Sequence, residues 1–387
     1  MRIAILLNEA YPVGMAATNR IHLYAKGLKE LGNEVRILIP RPTEPSGKIK
    51  NTDIRGNYEG VYFRYACNPV ISSSFIKRRI QNIKSILNFL TFFVGYNPDI
   101  ILTVSNDFRD TFYAKVCSVI IRSKIVREKN EVPFHNLNEI SKKRQRRIIA
   151  EFKFFHGIIV ISDTLRDFFI KDLSLKLKIL EVPILIDNHK HIVNNQRKNL
   201  IEPNLVYTGS LINRKDGILH IIEAFSKIAS KYPQVRLIMT GDINSTSDKE
   251  EILKYLETNK IKTRVDLVGY VSKEELIRLT STATALLLAK PDNRQNRYNM
   301  ATKIGEYLLT GRPVVISSVD PVCNHLENKV DAFTVKPYGN DFTEALRFIL
   351  DNPGKAGEIG LKGQEKANQL FDYKIHAARM NDFLKEL

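Results

Sequence analysis

Short apolar runs alternate along the chain with stretches whose apolar residues recur every three or four positions, which predicts strands and helices in turn. Residues 2–7 read as a first strand. After a loop over 11–17, a helix is expected over about 18–31, with Ile21, Tyr24, Ala25, Leu28 and Leu31 on one side. Gly32 and Asn33 end it, and 35–39 reads as strand two. Strand, helix and strand in this order build a parallel sheet. Strands at 60–65, 99–104, 124–127 and 157–162 extend the pattern. A polar stretch over 189–199 then breaks it. A second series follows, with strands at 204–207, 235–240, 265–268, 285–288, 314–316 and 332–335. Helices are expected at 218–231, 250–258 and 342–350. The division is a first domain over 1–190, a linker over 191–200, a second domain over 201–371 and a last helix over 372–387.

One helix differs from the rest. Apolar residues recur at 76, 80, 83, 87 and 90, with Lys77, Arg78, Arg79 and Lys84 between them. Such a basic amphipathic helix either lies on an anionic bilayer or packs on a core with its charges in water. Residues 142–147 are the densest positive run, facing phosphates, lipid headgroups or solvent. Whole-chain charge agrees with an anionic partner: 59 Lys and Arg against 42 Asp and Glu give a net +17. Nucleic acid is not expected as that partner, because the basic residues are scattered and no reader motif appears. The longest apolar run, 86–94, is far shorter than the roughly 20 residues of a membrane span. The opening run is expected to be a strand rather than a signal peptide. Three cysteines lack metal or redox spacing, and no Asp-x-Asp motif occurs, so no metal cofactor is expected and a reducing cytoplasm fits.

Two stretches carry candidate chemistry. In 298–316, Thr302 is placed to cap a short helix with Ile304, Leu308 and Leu309 on its apolar face. Gly311 ends the helix, Pro313 bars its continuation, and a strand follows. The amides of Met300, Ala301 and Thr302 are candidates for a phosphate, with Lys303 beside them and Glu306 placed for a ribose. The plainer reading is a capped helix whose Glu faces water. Upstream, Arg214 and Lys215 lie in a loop between a strand and a helix, where a cationic pair suits a diphosphate.

The first of these stretches resembles the donor-site signature of family 4 glycosyltransferases, which share the GT-B fold. Glu306 matches the second Glu of that signature, while Tyr298 stands where the first is usual. Gly209 and Lys215 match a Gly-Arg-Leu…Lys-Gly motif, with Ser210 in place of its Arg and Arg214 as the substitute charge. The resemblance implies an α/β chain of two Rossmann-like doubly wound domains facing each other across a cleft, the last helix packing back on the first. It implies transfer from a nucleotide-diphosphate sugar, UDP- or GDP-linked, to a saccharide or lipid-linked saccharide, with retention and without metal. A membrane-peripheral role in surface polysaccharide assembly follows by analogy, docking through 75–93 and 142–147. Gly14 would face the donor phosphate, and the backbone near Gly269 and Tyr270 the base. Glu128 and Glu131, with Asn130 and His135 nearby, are the candidates for acceptor activation. A GT-B protein that binds nucleotide sugars or a partner enzyme without turnover, and a GT-B sugar-nucleotide epimerase, remain alternatives.

Overall fold

The computed structural model describes residues 1–47, 49–104, 107–133, 141–188 and 203–387. The expected linker 191–200 and His135 lie outside the described residues. The chain forms two compact units, residues 1–185 with 373–387, and residues 186–372.

The first unit begins with β1 (Arg2–Leu6), α1 (Ala16–Glu30), β2 (Glu34–Ile39), β3 (Arg55–Tyr58) and β4 (Val61–Tyr65). It continues with α2 (Phe75–Tyr96), β5 (Ile100–Thr103), α3 (Phe108–Ile120), β6 (Lys124–Lys129) and α4 (Lys142–Phe152). β7 (Gly157–Val160), α5 (Asp163–Asp167) and β8 (Lys178–Glu181) complete its sheet, in the order β3-β4-β2-β1-β5-β6-β7-β8. All neighbours are parallel except the β3–β4 hairpin at the edge. Strand order reverses between β1 and β5, and the carboxyl ends flanking such a reversal are where open α/β sheets bind ligands. Ile3 and Ile5 of β1 pack on Ile21, Tyr24, Ala25 and Leu28 of α1. Met380 and Leu384, from the chain's last helix, join the same core.

The second unit runs β9 (Asn204–Tyr207), α6 (Asn213–Asp216), α7 (Ile218–Ala229), β10 (Arg236–Thr240), α8 (Lys249–Thr258), β11 (Val265–Gly269) and α9 (Lys273–Ser281). β12 (Ala285–Leu288), α10 (Arg294–Tyr298), α11 (Lys303–Leu309), β13 (Val314–Ser317) and β14 (Phe333–Val335) follow. α12 (Asp341–Asp351) and α13 (Pro353–Phe371) close the unit, and α14 (Tyr373–Lys385) belongs to the first. The sheet order is β11-β10-β9-β12-β13-β14, wholly parallel, with its reversal between β9 and β12.

Several elements depart from expectation. β3 and α13 had no strong periodic signal. α13 carries four glycines, which weaken helical propensity by about 1 kcal/mol each relative to alanine. Two of them serve packing, since a Cβ at Gly360 or Gly363 would collide with the carbonyl of Gly311 or Asp331. Residues 213–216 form a helical turn rather than a loop, and α10 interrupts the loop expected over 290–299. The core-packing reading of α2 is overturned for its amino-terminal half. Ile76, Ile83 and Leu87 are 70%, 61% and 58% exposed, and only Ser85, Phe89, Phe92, Phe93 and Tyr96 are buried. No helix among the described residues is long and apolar enough to cross a membrane.

Candidate functional site

The carboxyl edge of the second sheet gathers most of the expected donor residues. β9 ends at Tyr207, and Gly209 follows with φ near +135°, a conformation that favours glycine. A side chain at 209 would collide with the Lys303 ammonium, so glycine lets α11 come close. Lys303 Nζ donates to Asp216 Oδ2 at 2.8 Å and to the Tyr207 hydroxyl at 3.2 Å. It also sits 4.5 Å from the centroid of the Tyr207 ring. The Tyr207 oxygen lies 2.6 Å from both Asp216 Oδ2 and the Ser210 carbonyl. Segments 209–217 and 299–306 therefore meet through a partly buried ion pair, in which Asp216 is buried and Lys303 is not fully so.

Electrostatics at this junction are tense. Desolvation lowers the Lys303 ammonium, and Asp216 opposes it. Burial works to raise the Asp216 carboxyl, but the Lys303 charge overcomes it and holds the group below the usual range. Burial, then the Asp216 charge, raise Tyr207 well above its ordinary value.

Arg214 and Lys215 stand exposed on α6, whose position is fixed on three sides. The Asn213 amide donates to Asp248 at 2.6 Å. Asn293 Nδ2 donates to the Arg214 carbonyl at 2.8 Å, tying α10 to α6. Gly217 closes the turn at φ near +69°, where any Cβ would strike the carbonyl of Ala289.

The mouth of α11 corrects one expectation. Thr302 occupies the N-cap position, but its backbone is helical and its side chain caps nothing. The Ala301 amide already donates to Asp320 Oδ2 at 3.0 Å, so it is not offered to a phosphate. Met300 and Thr302 remain the candidate amides. The same Asp320 oxygen accepts from Lys290 Nζ at 2.8 Å, and Lys290 also donates to the Asn299 carbonyl at 2.6 Å. This ion pair, with side chains 2% and 0% exposed, pins the loop before α11. Tyr307 anchors the helix itself, its hydroxyl accepting from the Thr208 amide at 2.7 Å. Glu306, one turn in, is exposed, yet enough protein surrounds it that desolvation raises its carboxyl against the pull of Lys303 and Lys273.

Glycines line the neighbouring strand ends. The Gly241 amide donates to the Gly269 carbonyl at 2.8 Å, and a Cβ at Gly241 would collide with the Gly209 carbonyl. Tyr270 stands beside this ridge, 73% exposed.

In the first unit, a cavity of about 1060 Å³ opens at the carboxyl ends of β1, β5 and β6. Glu128 and Glu131 both line it. Glu128 is 2% exposed, with Oε1 2.6 Å from Arg20 Nε and 2.9 Å from the Tyr24 hydroxyl. Arg20 is held in turn by the carbonyls of Val182 and Pro183. Among the described residues, Glu128 Oε2 has no hydrogen-bond partner. Glu131 lies on the exposed rim. Gly14 is half-buried in the loop after β1, where a Cβ would strike Thr18 and the Ala10 carbonyl. Of the basic run 142–147, Lys143 and Arg147 line the cavity.

Residues 202–352 match the family described as Glycosyl transferases group 1. Sucrose-phosphate synthase from Thermosynechococcus elongatus superposes with a TM-score of 0.75 at 17% identity, over 100% of this chain and 98% of that one. Anabaena HepE, solved in complex with UDP and glucose, gives 0.73 at 15% identity over 100% of both chains. The fold is that of the GT-B glycosyltransferases. In sequence, a trehalose synthase of Pyrococcus horikoshii is 23% identical over 178 residues, 44% of this chain and 41% of that protein. The match thus spans about two fifths of that relative's length.

Within the GT-B frame, several positions were not singled out from the sequence. Tyr207, Asp216, Lys290 and Asp320 act mainly through contacts between residues far apart in sequence, up to 96 positions for Tyr207 and Lys303. Gly241 had a local signal, a Gly-Asp step closing a strand, without an evident role.

Proposed function

We propose that the protein is a retaining, metal-independent glycosyltransferase moving a sugar from a nucleoside diphosphate, UDP- or GDP-linked, to a saccharide or lipid-linked saccharide. The observation that carries this reading is the Gly209–Lys303–Asp216 junction, which joins the cationic turn to the mouth of α11. Arg214 and Lys215 would neutralise the diphosphate, assisted by the amides of Met300 and Thr302. Charge placed where the leaving group becomes most negative lowers the barrier without a metal. Glu306 would accept from the ribose, and the Gly209–Gly241–Gly269 ridge would let the nucleotide approach the backbone. A β-phosphate oxygen takes the acceptor proton on the face the sugar leaves, which gives retention. Glu128 Oε2 would accept a hydrogen bond from the acceptor hydroxyl and orient it.

Anabaena HepE in complex with UDP and glucose supports a UDP-linked donor by likeness of fold. Exposed Ile76, Ile80, Ile83 and Leu87, interleaved with Lys77, Arg78, Arg79 and Lys84, support docking of α2 on an anionic membrane. Peripheral placement on a cytoplasmic leaflet would bring lipid-linked acceptors of surface polysaccharide assembly within reach.

Thermal-shift screening of UDP- and GDP-sugars with the purified protein, followed by product analysis, tests the reading. Lys215→Ala and Glu306→Ala are each expected to abolish stabilisation by the donor while leaving the protein folded. Unchanged donor affinity in both sinks the site assignment. Tyr298, where the signature has Glu, favours the second reading, binding without turnover; donor-dependent transfer excludes it.

A further inference from the structure

Glu128 sits in an ion pair that leaves half of its carboxylate unused. Strand β6 carries it to the carboxyl edge of the first sheet, where it lines the cavity while only 2% exposed. Two donors converge on one oxygen. Arg20 Nε lies 2.6 Å from Oε1, and the Tyr24 hydroxyl donates to the same atom at 2.9 Å. Both donors come from α1, one helical turn apart, so one face of that helix supplies them together. The other oxygen, Oε2, is buried and has no hydrogen-bond partner among the described residues.

An arginine that only joined α1 to the sheet would gain most by setting its fork against both carboxylate oxygens. Arg20 does not, because both of its Nη groups are turned elsewhere. One donates to the Val182 carbonyl at 2.6 Å and the other to the Pro183 carbonyl. Those carbonyls stand just past the end of β8, so the guanidinium reaches from β6 to β8 across the end of β7. It also lies 5.0 Å from the centroid of the Tyr24 ring. Burial works against the Arg20 charge, but Tyr24 and Glu128 overcome it and hold the guanidinium above its ordinary value. Burial raises Tyr24 well above its own, which keeps its hydroxyl protonated as a donor. Apolar side chains of similar volume often stabilise a protein as well as a buried ion pair does, or better. A buried oxygen without a partner is costlier still. Stability alone therefore does not favour this arrangement. Its product is a carboxylate with one oxygen saturated, one open, and its orientation fixed.

We propose that Arg20 and Tyr24 are positioning residues for the transfer, saturating Oε1 and fixing the Glu128 carboxylate so that Oε2 meets the acceptor hydroxyl. Neither residue touches the substrate. The inference rests on the glycosyltransferase reading and names the groups that align its acceptor carboxylate.

The test uses the full-length protein, Arg20→Gln, Tyr24→Phe and Glu128→Gln, and Glu128→Gln combined with each of the other two. Tyr24→Phe deletes one hydroxyl and keeps the ring, so it carries the test if Arg20→Gln does not fold. Nucleotide release is followed with the UDP- and GDP-sugars that the thermal-shift screen selects, with water or glucose as acceptor. In Arg20→Gln and in Tyr24→Phe, kcat should fall by about tenfold or more, because misalignment of a reacting group is costly, while KM for the donor stays within about twofold. Added to Glu128→Gln, either substitution should cost less than about twofold further, since each acts through the same carboxylate. A merely structural role would lower kcat by the same factor in both backgrounds. A crystal structure of Arg20→Gln should show the Glu128 carboxylate turned from its place beside α1. Unchanged kcat in Arg20→Gln and Tyr24→Phe, losses that multiply in the Glu128→Gln background, or an unmoved carboxylate each overturn the inference. No nucleotide release from any donor by the unaltered protein counts against the glycosyltransferase reading, whereas release that the substitutions leave untouched counts against the inference alone.

Discussion

Asp320→Ala is expected to damage the donor site from behind. The Asp320 carboxylate is fully buried and accepts from Lys290 Nζ at 2.8 Å, from the Ala301 amide at 3.0 Å and, through its other oxygen, from the Val322 amide at 3.0 Å. Its removal leaves the Lys290 ammonium, 2% exposed, with the Asn299 carbonyl as its named acceptor. Breaking such a pair from one side costs about 3–5 kcal/mol. Orphaned amides add to this, by about 1–3 kcal/mol for each that water does not reach. A loss near 4 kcal/mol is a large share of the 5–15 kcal/mol that typically separates native from unfolded protein. Urea denaturation should show a lower midpoint, and calorimetry should show weaker UDP binding, because residues 299–301 lose their tether. Lys290→Met/Asp320→Leu separates the two effects. Replacing both charges by apolar groups is often neutral or stabilising by about 1–4 kcal/mol, so stability should return. UDP affinity should not, because the Ala301 amide and the Asn299 carbonyl still lack their partners. Loss of less than about 1 kcal/mol in Asp320→Ala, or full recovery of UDP affinity in the double substitution, refutes the positioning role.

Three further outcomes follow from the same geometry. Gly209→Ala places a Cβ against Lys303 at φ near +135° and should cost about 1–3 kcal/mol, with a matching fall in donor stabilisation; an unchanged thermal midpoint would contradict it. Lys129→Met should stabilise the protein at pH 7 by about 2–3 kcal/mol. The lysine is lowered from 10.5 to about 8 by desolvation and Arg127, so its charged form weakens the fold fully below about pH 8, and the penalty fades as pH rises to 10.5. A stabilisation independent of pH in urea titrations would contradict that cause. Ile76→Glu/Ile83→Glu should abolish sedimentation with anionic vesicles while moving stability by less than about 1 kcal/mol, since both side chains are mostly exposed; retained vesicle binding would remove α2 as the docking element.

Much of the framework is legible in the sequence because strands buried on both faces read as apolar runs. β1, β9, β12 and β13 show this directly. Helix α1 was legible from Ile21, Tyr24, Ala25 and Leu28, which the core buries. α13 was not, because glycines placed for close packing erase the periodic signal. Exposure of the apolar half of α2 was also hidden, since periodicity shows that a face exists but not what covers it. Gly209, Lys215 and Glu306 carried a local pattern. The groups that hold them did not. Lys290 meets Asp320 across 30 residues and Arg20 meets Glu128 across 108, and only the folded chain pairs them. The Ala301 amide illustrates the limit, since its partner Asp320 lies beyond the next strand.

The most direct test of the donor site is a crystal structure of the protein with UDP. The diphosphate should lie within hydrogen-bonding distance of Lys215 or Arg214 and of the Met300 or Thr302 amide, with the ribose against Glu306. Ordered UDP bound away from both segments, with 209–217 and 299–306 untouched, would contradict the account.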